Sequence, residues 1–355
     1  MPQTPLHDLQ KAQGATFADY EGWRMPRAFA GPAAEYRALS DAAGVTDRSH
    51  QGRLRLTGKD GLDLLHRVTT NALLDIEPLQ GKATLLLTSK GRIIDLVFVV
   101  RLPDHLLLVT GPGCARKVHD GIARYIVTED CALEDATERT GQFRIVGPRS
   151  AAALRDVLGA DPLSLAKYRF MSIAWRGETV LVGGAVPLVG LPSYHVFGSN
   201  EAVRGLWREM TAQGVSPVGV EAYEALHIET GLPASNTEFM EDYNPLEAGA
   251  ASLISFTKGC YVGQEVVARL NTYKKVQRTV VQFRFPGGAP VARGVRVLKD
   301  GRDIGLVTNP AHHPEREETL AIGFVALAEA RAGLAVSAAT ERGPVAGQIT
   351  KLLAF

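Results

Sequence analysis

Cysteine is scarce in this chain: three occur in 355 residues, at Cys114, Cys131 and Cys260, and none forms a CxxC pair. Three scattered thiols exclude a disulfide framework, and they exclude a four-cysteine zinc site or cluster cradle within one chain. An excess of either charge is equally missing. Lys and Arg number 39 against 38 Asp and Glu, a formal net charge of +1, without the basic surplus of a dedicated nucleic-acid binder. No apolar run approaches the roughly 18 residues of a membrane span, and Met1 to Gln10 has no apolar signal core. No GxGxxG, P-loop, HExxH or nucleophile elbow stands in a supporting context, so dinucleotide, nucleoside-triphosphate and zinc-hydrolase chemistry have no basis. The expectation is a cytoplasmic protein whose partners include neither nucleic acid nor membrane.

What the chain does have is pattern. With 45% hydrophobic residues its length suits two or three domains with real cores. Gly52–Gly58 alternates and is followed by Leu62, Leu64, Leu65 and Val68 at helical spacing. Gly141–Gly147 is followed in the same way by Ala151, Leu154, Val157 and Leu158. Each reads as strand, glycine turn and amphipathic helix, so the pair reads as a duplicated unit. Between them Ile93–Arg101 and His105–Thr110 form a predicted hairpin around Pro103-Asp104. Cys114–Ile126 reads as a helix and Cys131–Asp135 as a short strand. Tyr168–Trp175 and Thr179–Val182 read as an antiparallel pair. Glu201–Gln213 and Val220–Thr230 read as helices, the second stopped by Gly231-Leu232-Pro233. Beyond about residue 272 short strands and frequent turns take over, which predicts a small β-barrel or sandwich. The fold class is α+β.

One stretch concentrates chemistry. Lys258-Gly259-Cys260-Tyr261-Val262-Gly263-Gln264-Glu265 holds an amine, a thiol, a phenol, an amide and a carboxylate. Glycines flank the Cys-Tyr pair, and glycine permits backbone angles and close approaches closed to other residues. The stretch is expected where an ordered element meets an exposed turn, with the following Val266–Leu270 apolar enough to be buried.

Continued to Arg269, this octapeptide resembles the signature of the YgfZ-type folate-binding proteins, which are tied to iron–sulfur cluster assembly or repair. The rest of the chain resembles the related glycine-cleavage T-protein, an aminomethyltransferase that uses tetrahydrofolate. Thr4–Asp8, Ala34–Arg37 and Asp47–His50 are similar to the T-protein N-terminus. Glu229–Leu232 and Asn244–Gly249 are similar to its segment before the signature. The resemblance implies three domains in a ring: residues 1–50 plus 136–270 as a discontinuous folate-binding domain, 51–135 as an inserted α+β domain, and 271–355 as the β-barrel. It implies tetrahydrofolate, or a one-carbon derivative of it, as cofactor, and iron–sulfur client or assembly proteins as partners. The main functional expectation is a folate-binding accessory protein of iron–sulfur cluster assembly using Cys260. The alternative is a folate-dependent aminomethyltransferase or related one-carbon transferase or demethylase.

The resemblance also places residues. Asp95 lies near the T-protein's catalytic aspartate. Tyr223 stands on the helix where the T-protein has an arginine that contacts the folate tail. Tyr194 takes the place of a glutamate that contacts the pterin. Cys260 and Asp95 are therefore the candidate catalytic residues. Asp95, Tyr194, Tyr223, Glu229, Lys258 and Tyr261 are the candidate folate-binding residues, and no metal ligands are assigned.

Each has a plainer reading. Cys260 is either a thiolate activated by Lys258 two residues away, or a buried small hydrophobe. Asp95 either meets a folate amine nitrogen or pairs with Arg92 or Arg101, since an unpaired acid in an apolar strand is costly. Glu229 sits late in a helix, where its charge opposes the macrodipole, and it either has a specific partner or is an exposed helix acid. The three tyrosines either stack on a flat ring or belong to cores. Glu265 and Arg269 are spaced to pair along a helix. Lys274, Lys275 and Arg278 form a solvated edge or meet an anion. His312-His313-Pro314 reads as an exposed loop.

Overall fold

The computed structural model describes residues 1–355, apart from the side chain of Ser164. In chain order the first elements are α1 (His7–Ala12), β1 (Thr16–Tyr20), β2 (Trp23–Ala28), α2 (Pro32–Asp41), β3 (Gly44–Asp47), β4 (Gln51–Thr57) and α3 (Gly61–Val68). They are followed by β5 (Gln80–Leu87), β6 (Ile93–Arg101), β7 (Leu106–Pro112), α4 (Ala115–Ala123), β8 (Ala132–Asp135), β9 (Thr140–Val146) and α5 (Ser150–Leu158). Next come β10 (Phe170–Trp175), β11 (Glu178–Gly184), β12 (Ser193–Ser199), α6 (Asn200–Ala212), β13 (Ser216–Val218), α7 (Val220–Thr230) and α8 (Gln264–Thr272). Six strands close the chain: β14 (Arg278–Pro286), β15 (Arg296–Lys299), β16 (Arg302–His312), β17 (Glu318–Ala326), β18 (Ala335–Thr340) and β19 (Gly343–Leu352). Two compact units result. One holds Met1–Leu62, Leu74–Lys82 and Phe98–Leu226; the other holds Asp63–Leu73, Ala83–Val97 and His227–Phe355.

The first unit is built on a six-stranded sheet of order β10-β11-β12-β9-β3-β13. Its neighbours are antiparallel except for the parallel pair β3 and β13. Successive residues of a strand face opposite sides. Phe143 and Ile145 of β9 and Tyr194 and Val196 of β12 therefore point one way, into a core with Leu154 of α5 and Leu206, Trp207 and Met210 of α6. Helix α6 supplies that core from a stripe at 202, 203, 206, 207 and 210, the spacing of one helical face. Its start is capped by the Ser199 hydroxyl, which accepts from the Ala202 N–H at 3.1 Å. The opposite face of the sheet carries Phe170, Leu181 and Phe197, packed with Val100 and Val109. That same face carries Arg144 and His195, which are cross-strand partners.

The second unit contains the hairpin formed by Ala83–Leu87 and Ile93–Val97. Its turn is tied by the Gly91 N–H to the Thr88 carbonyl at 2.9 Å. The unit also contains a closed barrel of order β14-β17-β16-β15-β18-β19, in which β14 pairs with both β17 and β19. Closure leaves no open edge. Val281, Phe283 and Phe285 alternate inward along β14 to meet Val307, Ala321, Val325 and Ile349.

Both predicted strand–turn–helix units occur, as β4 with α3 and β9 with α5, and so does the hairpin of β6 and β7, with Phe98 opposite Val109. Two expectations are corrected. Val266–Leu270 is part of α8, and only Val267 in it is buried. His313 is not an exposed loop residue. It is 2% exposed, and its Nδ1 accepts from the backbone N–H groups of Glu315 and Arg316, both at 3.1 Å.

Candidate functional site

The signature forms a loop that ends on α8 in the second unit. Gly263 caps the helix with φ +81°, a left-handed angle that favours glycine. A side chain there would strike the Thr88 carbonyl oxygen at 2.7 Å and Gly91 Cα at 3.1 Å. Gly91 also has positive φ, and a side chain on it would meet Val266 at 3.1 Å. The β5–β6 turn and the signature loop therefore interlock through two glycines.

Within the loop, Cys260 is exposed and Tyr261 is buried. Lys258 folds inward instead of toward the thiol. Its ammonium donates to the carbonyls of Asn71 at 2.8 Å, Thr69 at 2.5 Å and His66, and it lies 5.1 Å from the Tyr261 ring centroid. An ammonium has three N–H groups, and all three are engaged. The expectation that Lys258 activates the thiol is thus corrected: its donors go to carbonyls. Burial pushes the Tyr261 phenol up to about 12.

Burial also lowers Lys258 from 10.5 to about 8, while the carbonyl dipoles keep it charged at neutral pH. The folded state loses this proton first as pH rises. Between about pH 8 and pH 10.5 the unfolded chain therefore binds more protons, and this group makes the fold more stable as pH increases. Thermal melts at pH 7.5 and pH 9.5 are expected to show a smaller gain for Lys258→Met than for the parent protein. An equal gain would assign the pH response to other groups.

Asp95 is fully buried on β6, with Ile93 and Val97 on the same face. The two arginines proposed as its plain partners are engaged elsewhere. Arg92 donates to the Asp242 carbonyl at 3.1 Å and lies 3.6 Å from Glu247, and Arg101 donates to the Ile76 carbonyl at 2.9 Å. Glu229 has the specific partner its helix position pointed to: Arg316 pairs with it at 2.5 Å, and His313 lies 3.5 Å away. Arg278 is likewise structural, paired with Glu247 at 3.2 Å and lying 4.6 Å from the Tyr243 ring centroid. Lys274 and Lys275 are exposed. Glu265 and Arg269 are both exposed and make no ion pair among the described residues.

The first unit assembles a second polar cluster, which sequence reading touched at one residue only. Tyr223 is buried on α7. Its hydroxyl accepts from Arg144 Nη1 at 2.8 Å, and the Arg48 guanidinium stacks 4.6 Å from its ring centroid. Arg48 pairs with Glu224 at 3.3 Å. The helix lacks an arginine at this position, and two arginines from the sheet side supply positive charge beside it. Tyr194 does not join them; its ring packs in the sheet core. The residue that faces the cluster is its neighbour His195, held neutral by burial and by Arg144 and Arg48.

Aromatic surface completes this face. His195 stacks on Phe98 and Phe197 with centroids 6.2 and 5.8 Å apart, and Phe98 lies 4.8 Å from Tyr168. Tyr168 has φ +66°, an uncommon angle for a bulky residue. Two backbone bonds of 2.7 Å hold it there, to Gly184 and from Gly81. Burial pushes its phenol up to about 12. Non-glycine residues in such angles concentrate at ligand sites. No sequence signal marked Tyr168, whereas β12 alternates, with Tyr194 and Val196 on the face that packs in the core and Ser193, His195 and Phe197 on the other.

Among the described residues no cluster of His, Cys, Asp and Glu is arranged to hold a metal ion, and no helix is long and apolar enough to cross a membrane.

The chain is similar to known proteins along nearly its whole length. The GCVT N-terminal domain family matches residues 6–258. An aminomethyltransferase of Picosynechococcus is 28% identical over 358 residues, covering 99% of this chain and 97% of the relative. An aminomethyltransferase of Chlorobium chlorochromatii is 29% identical over 90% of this chain and 88% of its own length. A putative chloroplastic transferase of Arabidopsis thaliana is 27% identical over 89% of this chain and 72% of its own length. The crystal structure of glycine cleavage system aminomethyltransferase T from Bartonella henselae superposes with a TM-score of 0.90 at 21% identity, over 99% and 97% of the two chains. The chain thus has that α+β fold, barrel included.

Proposed function

Because this chain belongs to the GCVT N-terminal domain family, we propose that it is a tetrahydrofolate-dependent one-carbon transferase of the aminomethyltransferase type. The observation that carries the reading is the match to proteins named aminomethyltransferase along nearly the whole of both chains. It favours the alternative over the iron–sulfur role. The chemistry needs a group that exchanges a proton at a folate amine nitrogen and a surface that holds a flat ligand. Asp95 is the residue we assign to the proton. The first unit by itself carries flat rings at Phe98, Tyr168 and His195, which suit a flat ligand.

The test is direct. Purified protein, tetrahydrofolate and a lipoyl carrier protein loaded with an aminomethyl group are mixed, and ammonia and methylene-tetrahydrofolate are measured. The two are expected in equal amounts at a rate well above the protein-free mixture. A rate equal to that background would remove the proposal.

The exposure of Cys260 favours a second reading, a folate-binding accessory protein of iron–sulfur cluster assembly or repair. A free accessible thiol on a shaped loop suits one ligand or mixed-disulfide contact to a client. In cells carrying Cys260→Ser, this reading expects cluster-dependent enzymes to lose activity, while the transferase reading expects them unchanged.

A further inference from the structure

Three arginines of the first unit are largely buried, and they are not used alike. Arg53 is 1% exposed, and its guanidinium is filled by the carbonyls of Ser49, Gln51, Thr137 and Thr140 and by the Thr140 hydroxyl. Arg144 donates to the Ser193 hydroxyl at 2.6 Å, to the Tyr223 hydroxyl at 2.8 Å and to the Val186 carbonyl. Each looks like a structural arginine, matched by acceptors at every nitrogen.

Arg48 differs. Its side chain is 12% exposed, and among the described residues its guanidinium makes a single hydrogen bond, to Glu224 at 3.3 Å. An arginine carries five N–H groups, so most of these donors meet no protein acceptor. Its plane is held by the Tyr223 ring at 4.6 Å, which fixes direction without consuming donors. These pre-oriented donors are not sealed from solvent, so an anion can reach them and form charge-assisted hydrogen bonds.

A second group nearby is also incomplete. His50, two residues on, is 1% exposed, and both of its ring nitrogens are buried without a hydrogen-bond partner among the described residues. Burial, with Arg48 and Arg53 close by, keeps it neutral, so it offers one donor and one acceptor. Tyr20 covers it edge-on at 5.5 Å. Arg53 has Asp47 and Asp135 beside it, so what stays incomplete here is Arg48, with Glu224 as its one carboxylate, together with a neutral imidazole that lacks hydrogen-bond partners.

We infer that Arg48 is a specificity-determining residue that binds a carboxylate of the ligand. Resting on the function proposed above, that carboxylate belongs to the glutamyl tail of the folate. Arg48 takes over from the sheet side the charge that Tyr223 does not supply from the helix.

Titration calorimetry with two ligands tests this. One is tetrahydrofolate; the other is a tetrahydropteroyl amide that keeps both ring systems and lacks the glutamyl carboxylates. The parent protein is expected to bind tetrahydrofolate about ten- to a hundredfold more tightly, the range of a charge-assisted bond. Arg48→Met is expected to weaken tetrahydrofolate to the level of the amide and to leave the amide unchanged. Arg48→Lys, which keeps charge but not the flat stacking, is expected to keep part of the preference and serves if the methionine variant does not fold. Equal affinity of the parent protein for both ligands, or an equal loss on both in Arg48→Met, overturns the role of Arg48 and leaves the folate reading standing. Binding of neither ligand by the parent protein overturns both.

Discussion

Asparagine in place of Asp95 is expected to lower the rate of aminomethyl transfer by about 10²- to 10⁴-fold, the contribution of a positioned acid or base. The substitution keeps size and shape, so the fully buried site on β6 stays filled. It removes the charge and one acceptor oxygen together with the ability to gain and lose a proton. The check is the turnover number across pH, measured beside a thermal melt. The variant is expected to melt near the parent temperature and to lose the pH dependence of its turnover. A variant with parent turnover would take the carboxyl out of the reaction, and one that melts early would make it structural.

The largest expected loss of stability comes from Arg53→Met. Methionine matches the stem of arginine but leaves the Ser49, Gln51, Thr137 and Thr140 carbonyls facing an apolar chain. Unsatisfied buried acceptors are each costly, and the total is expected near 4 kcal/mol. Arg53 sits beside Asp47 and Asp135 in a buried setting that pulls its own pKa down to about 10, so the site strains to hold the charge yet depends on its donors. Arg53→Lys has three N–H groups for four carbonyls and is expected to recover roughly half of the loss. Denaturant unfolding of the three proteins measures the difference. A methionine variant as stable as the parent would mean that the carbonyls find water without cost.

These expectations show where sequence reading succeeded. The strand–turn–helix units at β4 with α3 and β9 with α5 were legible because each depends on local alternation and glycine placement. The six short strands of the barrel were legible as strands for the same reason. The flanking glycines marked a shaped loop at Cys260 and Tyr261, but which of the two is exposed was decided by the fold: Cys260 is exposed and Tyr261 buried. The direction of Lys258 was not legible either, because it is set by carbonyls 187 to 192 residues away along the chain. Arg48 likewise lay unmarked in an N-terminal motif, since the carboxylate that orients it, Glu224, is 176 residues away.

Local pattern was enough to establish an α+β chain, its hairpins and the short strands of a barrel or sandwich, because hydrogen-bonding partners and apolar phase in such elements lie close in sequence, whereas the closure of the barrel joins β14 to β19, with Val281 opposite Leu352. Which chemical groups share a surface was decided by folding alone. Helices α5 and α6 cover one face of β12, which buries Tyr194 and leaves His195 on the other face, opposite Arg144. Electrostatic roles follow the same rule: an arginine becomes a structural tie or a ligand anchor according to the acceptors that distant segments bring to it.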